Sequence, residues 1–207
     1  MPYEHKPFLL ILIAPSGGGK TTLCDQILNL EDDFVYSISS TTRKPRGDEQ
    51  DGVDYFFLEK EEFLQRQQSG EFIESAVVHD NWYGTSRKFI ESELRSGRNI
   101  VLDIDVQGAF KILESGIECV TVFLLPPTQE ELRQRLENRG TDSAEMIELR
   151  MRNAAEEISL ISSFNYLVIN DDLTKAITDI KMIIRAEKLR VGRYLNIQEN
   201  YYRSKNA

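Results

Sequence analysis

Residues Phe8 to Ile13 are six apolar side chains in unbroken succession, and they run straight into Ala14-Pro15-Ser16-Gly17-Gly18-Gly19. Six residues are too few to span a bilayer, and the lack of alternation suits a strand covered on both faces, as in the middle of a parallel sheet. The small residues that follow let the backbone curl and aim successive N–H groups into one concavity, a geometry that holds phosphate. Leu23, Cys24, Ile27 and Leu28 then recur at helical spacing. A helix therefore opens at the loop with the positive end of its dipole facing it. Strand, anion-holding loop and helix form one unit, and such a unit belongs to an α/β fold.

The stretch resembles the P-loop, in which backbone amides cradle phosphates, a lysine reaches the terminal ones and a hydroxyl meets Mg²⁺. Ala14, Pro15, Ser16, Gly17, Gly18, Gly19, Lys20, Thr21 and Thr22 would then bind ATP. The strict pattern has glycine first. Ala14 stands in that place, which is compatible with the turn only if its φ is negative.

At 207 residues with 41% hydrophobic content, the chain is one domain with insertions around a single core. Its 25 basic and 34 acidic residues leave a formal charge of −9, which argues against nonspecific binding to nucleic acid or to anionic membranes. An anionic ligand must therefore meet a local basic cluster. Cys24 and Cys119 lie in a predicted helix and a predicted strand, and the only histidines are His5 and His79. Neither metal-ligand spacing nor a disulfide framework results, so both thiols are expected to be reduced core residues of a cytoplasmic protein. Met1 to Pro7 lacks a charged targeting region, and no membrane segment is predicted.

Phe34 to Ser40 has strand composition and leads into Thr41-Thr42-Arg43-Lys44-Pro45-Arg46. Two arginines there could present planar forks to a second phosphate. Val53 to Leu58 is predicted as a strand, Lys60 to Gln68 as a helix ending at Gly70, Phe72 to Val78 as a strand, Trp82 to Thr85 as a turn, and Thr85 to Arg98 as a helix. Residues 37 to 98 carry no long parallel-type strand and read as an insertion on the core. Asn99 to Ile104 returns to the buried pattern and delivers Asp103, with Asp105 on the same face, to the carboxyl end of a strand. A helix cap and a metal ligand are equally good readings of that acidic pair taken alone.

Val106 to Glu114 is predicted helical, and Glu118 to Leu125 a strand. Thr128 and Glu131 form a capping box for a helix carrying Arg135 and Arg139, broken at Gly140, and Asp142 with Glu145 forms a second box for a helix running to about Ile161. Tyr166 to Ile169 is the last strand, followed by Asn170-Asp171-Asp172 and a helix from Leu173 to about Val191. Gly192 to Ala207 is polar and expected to fray.

The blocks APSGGGKTT, SISSTTRKPRGDE, GVDYFF, GEFIESA, WYGT, VLDIDVQGA, FLLPP, RLENRGTD and VINDDL, in this order over most of residues 8 to 187, resemble the guanylate kinase family. The resemblance implies a P-loop three-layer fold with a central parallel sheet (6–36, 99–138 and 151–187), a β-rich GMP-binding insertion (37–98) and a helical lid (139–150). It implies transfer of the γ-phosphoryl group of ATP to GMP, and to dGMP, as a step in guanine nucleotide metabolism, with Mg²⁺. By motif, Ser39, Arg43, Arg46, Tyr55, Glu74, Tyr83, Thr85 and Asp105 would bind GMP. Asn170 and Asp171 would contact the adenine side of ATP, and Thr21 and Asp103 would lie at the metal. Lys20, Arg46, Arg139 and Arg150 would neutralise the transferring phosphoryl group.

The chemistry agrees with those residue types. Phosphoryl transfer needs positioning and charge neutralisation more than covalent catalysis. The acceptor is itself a phosphate anion, so no general base is required. A carboxylate such as Glu74 offers two acceptor oxygens to the adjacent N–H donors of guanine, whereas adenine presents an acceptor there. Other readings remain: a different P-loop kinase such as a ribose bisphosphokinase, a noncatalytic module binding phosphorylated partners through Arg43 and Arg46, or a P-loop regulatory NTPase. ATP and GMP are the expected partners, without nucleic acid or membrane, and both a monomer and a homo-oligomer stay open.

Overall fold

The structure, a computed structural model, describes residues 4–78, 80–138, 140 and 143–203. Arg139 and Asp142, both singled out in the sequence, lie outside the described residues, as does His79. In chain order the elements are β1 (Glu4–His5), β2 (Leu9–Ile13), α1 (Lys20–Leu30), β3 (Phe34–Tyr36), β4 (Ser40–Thr41), β5 (Phe56–Phe57), α2 (Lys60–Gln68), β6 (Phe72–Val78), β7 (Asn81–Ser86) and α3 (Arg87–Arg95). They continue with β8 (Asn99–Ile104), α4 (Val106–Glu114), β9 (Cys119–Leu125), α5 (Gln129–Glu137), α6 (Ala144–Ser159), β10 (Tyr166–Ile169), α7 (Leu173–Lys188), β11 (Tyr194–Leu195) and α8 (Ile197–Arg203).

A five-stranded parallel sheet in the order β10-β9-β2-β8-β3 forms the core. Its middle strand, β2, is buried along its whole length, as an unalternating apolar run requires. Leu10 and Leu12 face one side, where Leu23, Cys24 and Ile27 of α1 and Ala176, Ile180 and Ile184 of α7 cover them. Leu9, Ile11 and Ile13 face the other, against Ile90 of α3 and Val106, Ala109 and Ile112 of α4. Three layers result. Because β8 lies between β2 and β3, the chain leaves β2 and returns beside it, which opens a crevice at the carboxyl ends of β2 and β8.

A second sheet, β5-β4-β7-β6, is the insertion. Phe63 of α2 stacks on Phe72 at 4.6 Å, and a Cβ on Gly84 would come within 2.9 Å of Phe72 and 3.0 Å of Phe63. Helices α5 and α6 share a small core of their own, Leu132, Leu136, Ile147, Met151 and Ala154. Helix α6 is continuous across position 150, so the expected lid boundary falls inside a helix. Its cap is Ser143, whose side chain accepts from Met146 N.

Four expectations are corrected. Phe34 to Ser40 is not one strand: β3 ends at Tyr36, Ser37 N still donates to Val101 O at 3.1 Å, and the chain then passes to the other sheet, where Ser39 O accepts from Phe56 N. Within Val53 to Leu58 only Phe56–Phe57 pairs in the sheet, because Gly52 N closes a loop onto Tyr55 O. Trp82 to Thr85 is not a turn but the body of β7, paired antiparallel to β6, and α3 accordingly begins only after its cap, Ser86. The stretch after Val191 is anchored as far as α8: β11 pairs with β1, and Arg193 is only 1% exposed. Its guanidinium lies 4.3 Å over the Phe8 ring and pairs with Glu187 at 3.1 Å and Glu118 at 3.3 Å. Polar composition conceals such an anchor, because one partner acid is Glu118, far back in the chain, and the other, Glu187, belongs to α7. Among the described residues no helix is long and apolar enough to cross a membrane, and both cysteines are free, Cys24 buried and Cys119 partly so.

Removing Glu187 leaves the Arg193 charge buried with only the half-exposed Glu118. Glu187→Ala should therefore lower unfolding free energy by about 3 to 5 kcal/mol, the usual cost of stranding one member of a buried pair. Denaturant titration reads this, and a loss under about 1 kcal/mol would show that the C-terminal anchor is dispensable.

Candidate functional site

The loop after β2 curls because Gly17 and Gly19 adopt φ values of 91° and 90°, in the region that side chains rarely enter. Gly18 answers a different need, since a Cβ there would stand 2.5 Å from that of Ala14. Among described residues other than glycine only Asp80 and Asn196 have positive φ, so Ala14 meets its condition. Helix α1 starts at the loop with no side-chain cap, leaving its first amides as donors facing the loop. Lys20 folds back, its Nζ donating to Ala14 O at 2.8 Å. From the exit of β10, Asn170 Nδ2 donates to Gly18 O at 2.8 Å, and Arg135 holds the Asn170 carbonyl at 2.9 Å.

Beside the loop, Asp103 sits in β8. Its carboxylate accepts from Thr21 Oγ1 at 3.3 Å and from the Tyr36 hydroxyl. Burial pushes its carboxyl above the ordinary range, opposed by the Tyr36 hydrogen bond and the charge of Lys20. Asp105, two residues on, caps α4 by accepting from Gly108 N at 2.7 Å.

A cleft of about 530 Å³ opens from this loop toward the insertion sheet. Ser39, Arg46, Tyr55, Glu74 and Tyr83 of the insertion line it, as does Asp105 of the core. Glu74 is 5% exposed and accepts from Thr85 Oγ1 at 2.5 Å. Burial lifts its carboxyl to about 7, the Thr85 hydrogen bond opposing that, with Asp105 raising it further and Lys111 lowering it. Helix α4 can approach only because residue 108 has no side chain: a Cβ there would lie 2.9 Å from Glu74 Oε2. Tyr55 and Tyr83 meet edge to face at 6.0 Å, and burial pushes the Tyr55 phenol up to about 12, so it stays a donor.

Helix α6 forms a further wall of the cleft. Arg150, 7% exposed, reaches Ser16 Oγ with Nη1 at 3.2 Å. Asn153, Ala154 and Glu157 follow on the same face.

Most sequence-selected residues therefore meet in one cleft. Pro15 and Thr22 do not line it, although Pro15 O accepts from Gly18 N at 2.8 Å and so shapes the loop. Thr85 stands behind Glu74. Arg43 is also set back: its guanidinium grips Glu49 at 2.8 and 2.9 Å and lies 5.1 Å over the Tyr55 ring. Arg43 and the Arg46 backbone amide hold the Glu49 carboxyl below the usual range. Asn170 grips the loop, while Asp171 pairs at the surface with Lys175 at 3.1 Å. Tyr36, Glu49, Gly108, Lys111 and Glu157 were not singled out by sequence reasoning. Glu157 carried a signal, since it follows Arg150 by seven residues on one helix face.

Residues 6–187 match the family model described as Guanylate kinase. A guanylate kinase from Caldanaerobacter subterraneus subsp. tengcongensis is 45% identical over 96% of this chain and 98% of its own length. One from Hahella chejuensis is 48% identical over 89% and 88%. The crystal structure of guanylate kinase from Anaplasma phagocytophilum superposes with a TM-score of 0.81 at 34% identity, covering 97% of this chain and 96% of that one.

Thr85→Val keeps the shape of the buried side chain and removes its hydroxyl. Losing a donor to the charged form should move the Glu74 titration above about 7. The carboxyl-carbon NMR signal of Glu74 followed against pH measures this, and an unchanged or lower midpoint would mean that Thr85 does not stabilise the carboxylate.

Proposed function

The chain belongs to the guanylate kinase family and is an ATP:GMP phosphotransferase, and from that premise we propose that the two ends of its cleft divide the reaction between them. The observation that carries this reading is that the phosphate loop and the buried carboxylate of Glu74 open into one cleft. ATP lies along the loop, its phosphates on the backbone amides and Lys20, with Asn170 fastening the loop and Asp171 on the adenine side. GMP lies toward the insertion, its guanine donors on Glu74 and its base beside Ser39. Thr85 and Asp105 hold that end in place.

The phosphate of GMP is taken by Arg46, Arg43, Tyr55 and Tyr83. Glu49 fixes the plane of the Arg43 fork before the ligand arrives, which reduces the ordering cost of binding. Arg150, already at Ser16, and Arg139 neutralise the γ-phosphoryl group as α6 and the segment before it close over the cleft. A phosphate oxygen of GMP attacks the γ-phosphorus, the bond to the β-phosphate oxygen breaks, and ADP carries away the charge. No protein group has to remove a proton.

Thr21 and Asp103 are the residues that would hold Mg²⁺. They fit because they set a hydroxyl and a carboxylate oxygen 3.3 Å apart beside the loop. Mg²⁺ takes one or two protein ligands and completes its shell with phosphates and water, and no group of three or more metal-binding side chains stands among the described residues. When bound, the ion supplies neutralisation of the donor phosphates. The free thiols support a cytoplasmic setting. dGMP is a second acceptor, and the reaction is a step in guanine nucleotide metabolism. The assembled loop, Lys20 and Arg150 support catalysis over a phosphopeptide-binding module.

The test is ADP formation from ATP with GMP, AMP or a ribose bisphosphate supplied singly. GMP should be strongly preferred, and an equal or greater rate with ribose bisphosphate would overturn the reading. Lys20→Ala should fold with an unchanged Tm yet lose about 10²-fold or more of kcat, as a charge aimed at the transferring group commonly contributes that much. Near wild-type turnover in that folded variant would remove Lys20 from the chemistry.

A further inference from the structure

Glu157 is unexplained by the roles above. It projects from α6 into the cleft two helical turns beyond Arg150, about 10 Å along the axis. Its Oε2 is buried and receives no hydrogen bond among the described residues. Burial lifts its carboxyl to about 7, with the Lys20 charge pulling it down and Asp105 and Glu156 pushing it up. A buried carboxylate oxygen without a donor is expensive, and such atoms in folded proteins usually have a purpose.

The surroundings narrow the donor that could complete it. An ionised phosphate has only acceptors to offer and cannot pair with the carboxylate form. Two adjacent guanine donors are already matched by Glu74, which is held by Thr85. The sugar of the acceptor lies between its phosphate and its base. Its hydroxyls are donors that neither Glu74 nor the phosphate-binding groups engage, and a vicinal pair can donate together to one carboxylate.

We propose that Glu157 is a specificity-determining residue that reads the ribose hydroxyls of the acceptor nucleotide. This rests on the assignment of the Glu74 end as the acceptor site. It gives α6 two tasks on one face: Arg150 meets the transferring phosphoryl group and Glu157 meets the acceptor's sugar, so closure of the helix samples donor and acceptor at once. A 2′-deoxy acceptor leaves the carboxylate partly unpaired, and the enzyme should favour GMP over dGMP.

The measurement is kcat/KM for GMP and for dGMP at saturating ATP and Mg²⁺, in wild type, Glu157→Gln and Glu157→Ala, together with calorimetric binding of each monophosphate without ATP. Hydrogen bonds to a charged group correspond to roughly ten- to a hundredfold in affinity. Wild type should prefer GMP by about that factor. The preference should shrink in Glu157→Gln, which keeps one acceptor oxygen, and collapse toward unity in Glu157→Ala, with the binding ratio following. A change in packing alone would lower both acceptors together. A GMP to dGMP ratio that is the same in all three proteins therefore overturns the sugar assignment while leaving the acceptor site intact. Failure of wild type to phosphorylate either nucleotide overturns the acceptor site and the sugar assignment with it.

Discussion

A carboxylate buried in apolar surroundings is the constraint around which the acceptor half of the molecule is arranged. Glu74 lies in the insertion sheet, yet its environment comes from two other elements: Thr85 of β7 donates to it, Gly108 of α4 leaves room for it, and the charge of Lys111, one turn later in α4, steadies it. Lys111 also donates to Ser75 O. The insertion is thereby held to the core through α4, the same helix that Asp105 caps. The costs of desolvation make such a group unstable unless donors surround it, and guanine brings two donors in the right geometry.

At the other end the constraint is an anion of high charge entering a protein of net charge −9. Attraction at long range does not help, so affinity must be local. The curl of the loop, the uncapped amides of α1 and Lys20 provide it, and all three follow from where β2 ends. Burying β2 on both faces fixes that end. Strand order then leaves the crevice between β2 and β8, so Thr21 and Asp103 come from neighbouring elements without any long-range search.

Much of this was legible in the sequence for physical reasons that differ by element. Leu9–Ile13, Asn99–Ile104 and Tyr166–Ile169 are fully or mostly apolar runs of strand length, and glycines such as Gly70, Gly97 and Gly116 mark where helices give way to a left-handed residue. The β-rich insertion was harder. Its strands are short, Tyr- and Gly-containing, and paired at a distance, so Trp82 to Thr85 resembled a turn and the passage from β3 to β4 resembled a single strand. In the site, side chains that meet ligand were visible by motif, whereas those that support other side chains were not. Tyr36 behind Asp103, Glu49 in the fork of Arg43 and Gly108 beneath Glu74 act through contacts that exist only in three dimensions. The Arg193 anchor was hidden for the same reason, as its partners are Glu187, 6 residues back in α7, and Glu118, far back in the chain just before β9.

The central claim is that the oxygens of Glu74 select guanine, and Glu74→Gln tests it most directly. The amide keeps the shape but replaces one acceptor by a donor, so it can satisfy only one of the two guanine donors however it is turned. An unsatisfied buried group costs about 1 to 3 kcal/mol, more when a charged partner is lost, so kcat/KM for GMP should fall on the order of 10² to 10³-fold. Adenine presents an acceptor beside a donor, a pattern that an amide complements, so activity with AMP should hold or rise. The decisive measurement is the ratio of kcat/KM for GMP to that for AMP, at saturating ATP and Mg²⁺, in wild type and in Glu74→Gln. A large fall in the ratio is the expected result, and an unchanged ratio would mean that guanine is read by other groups.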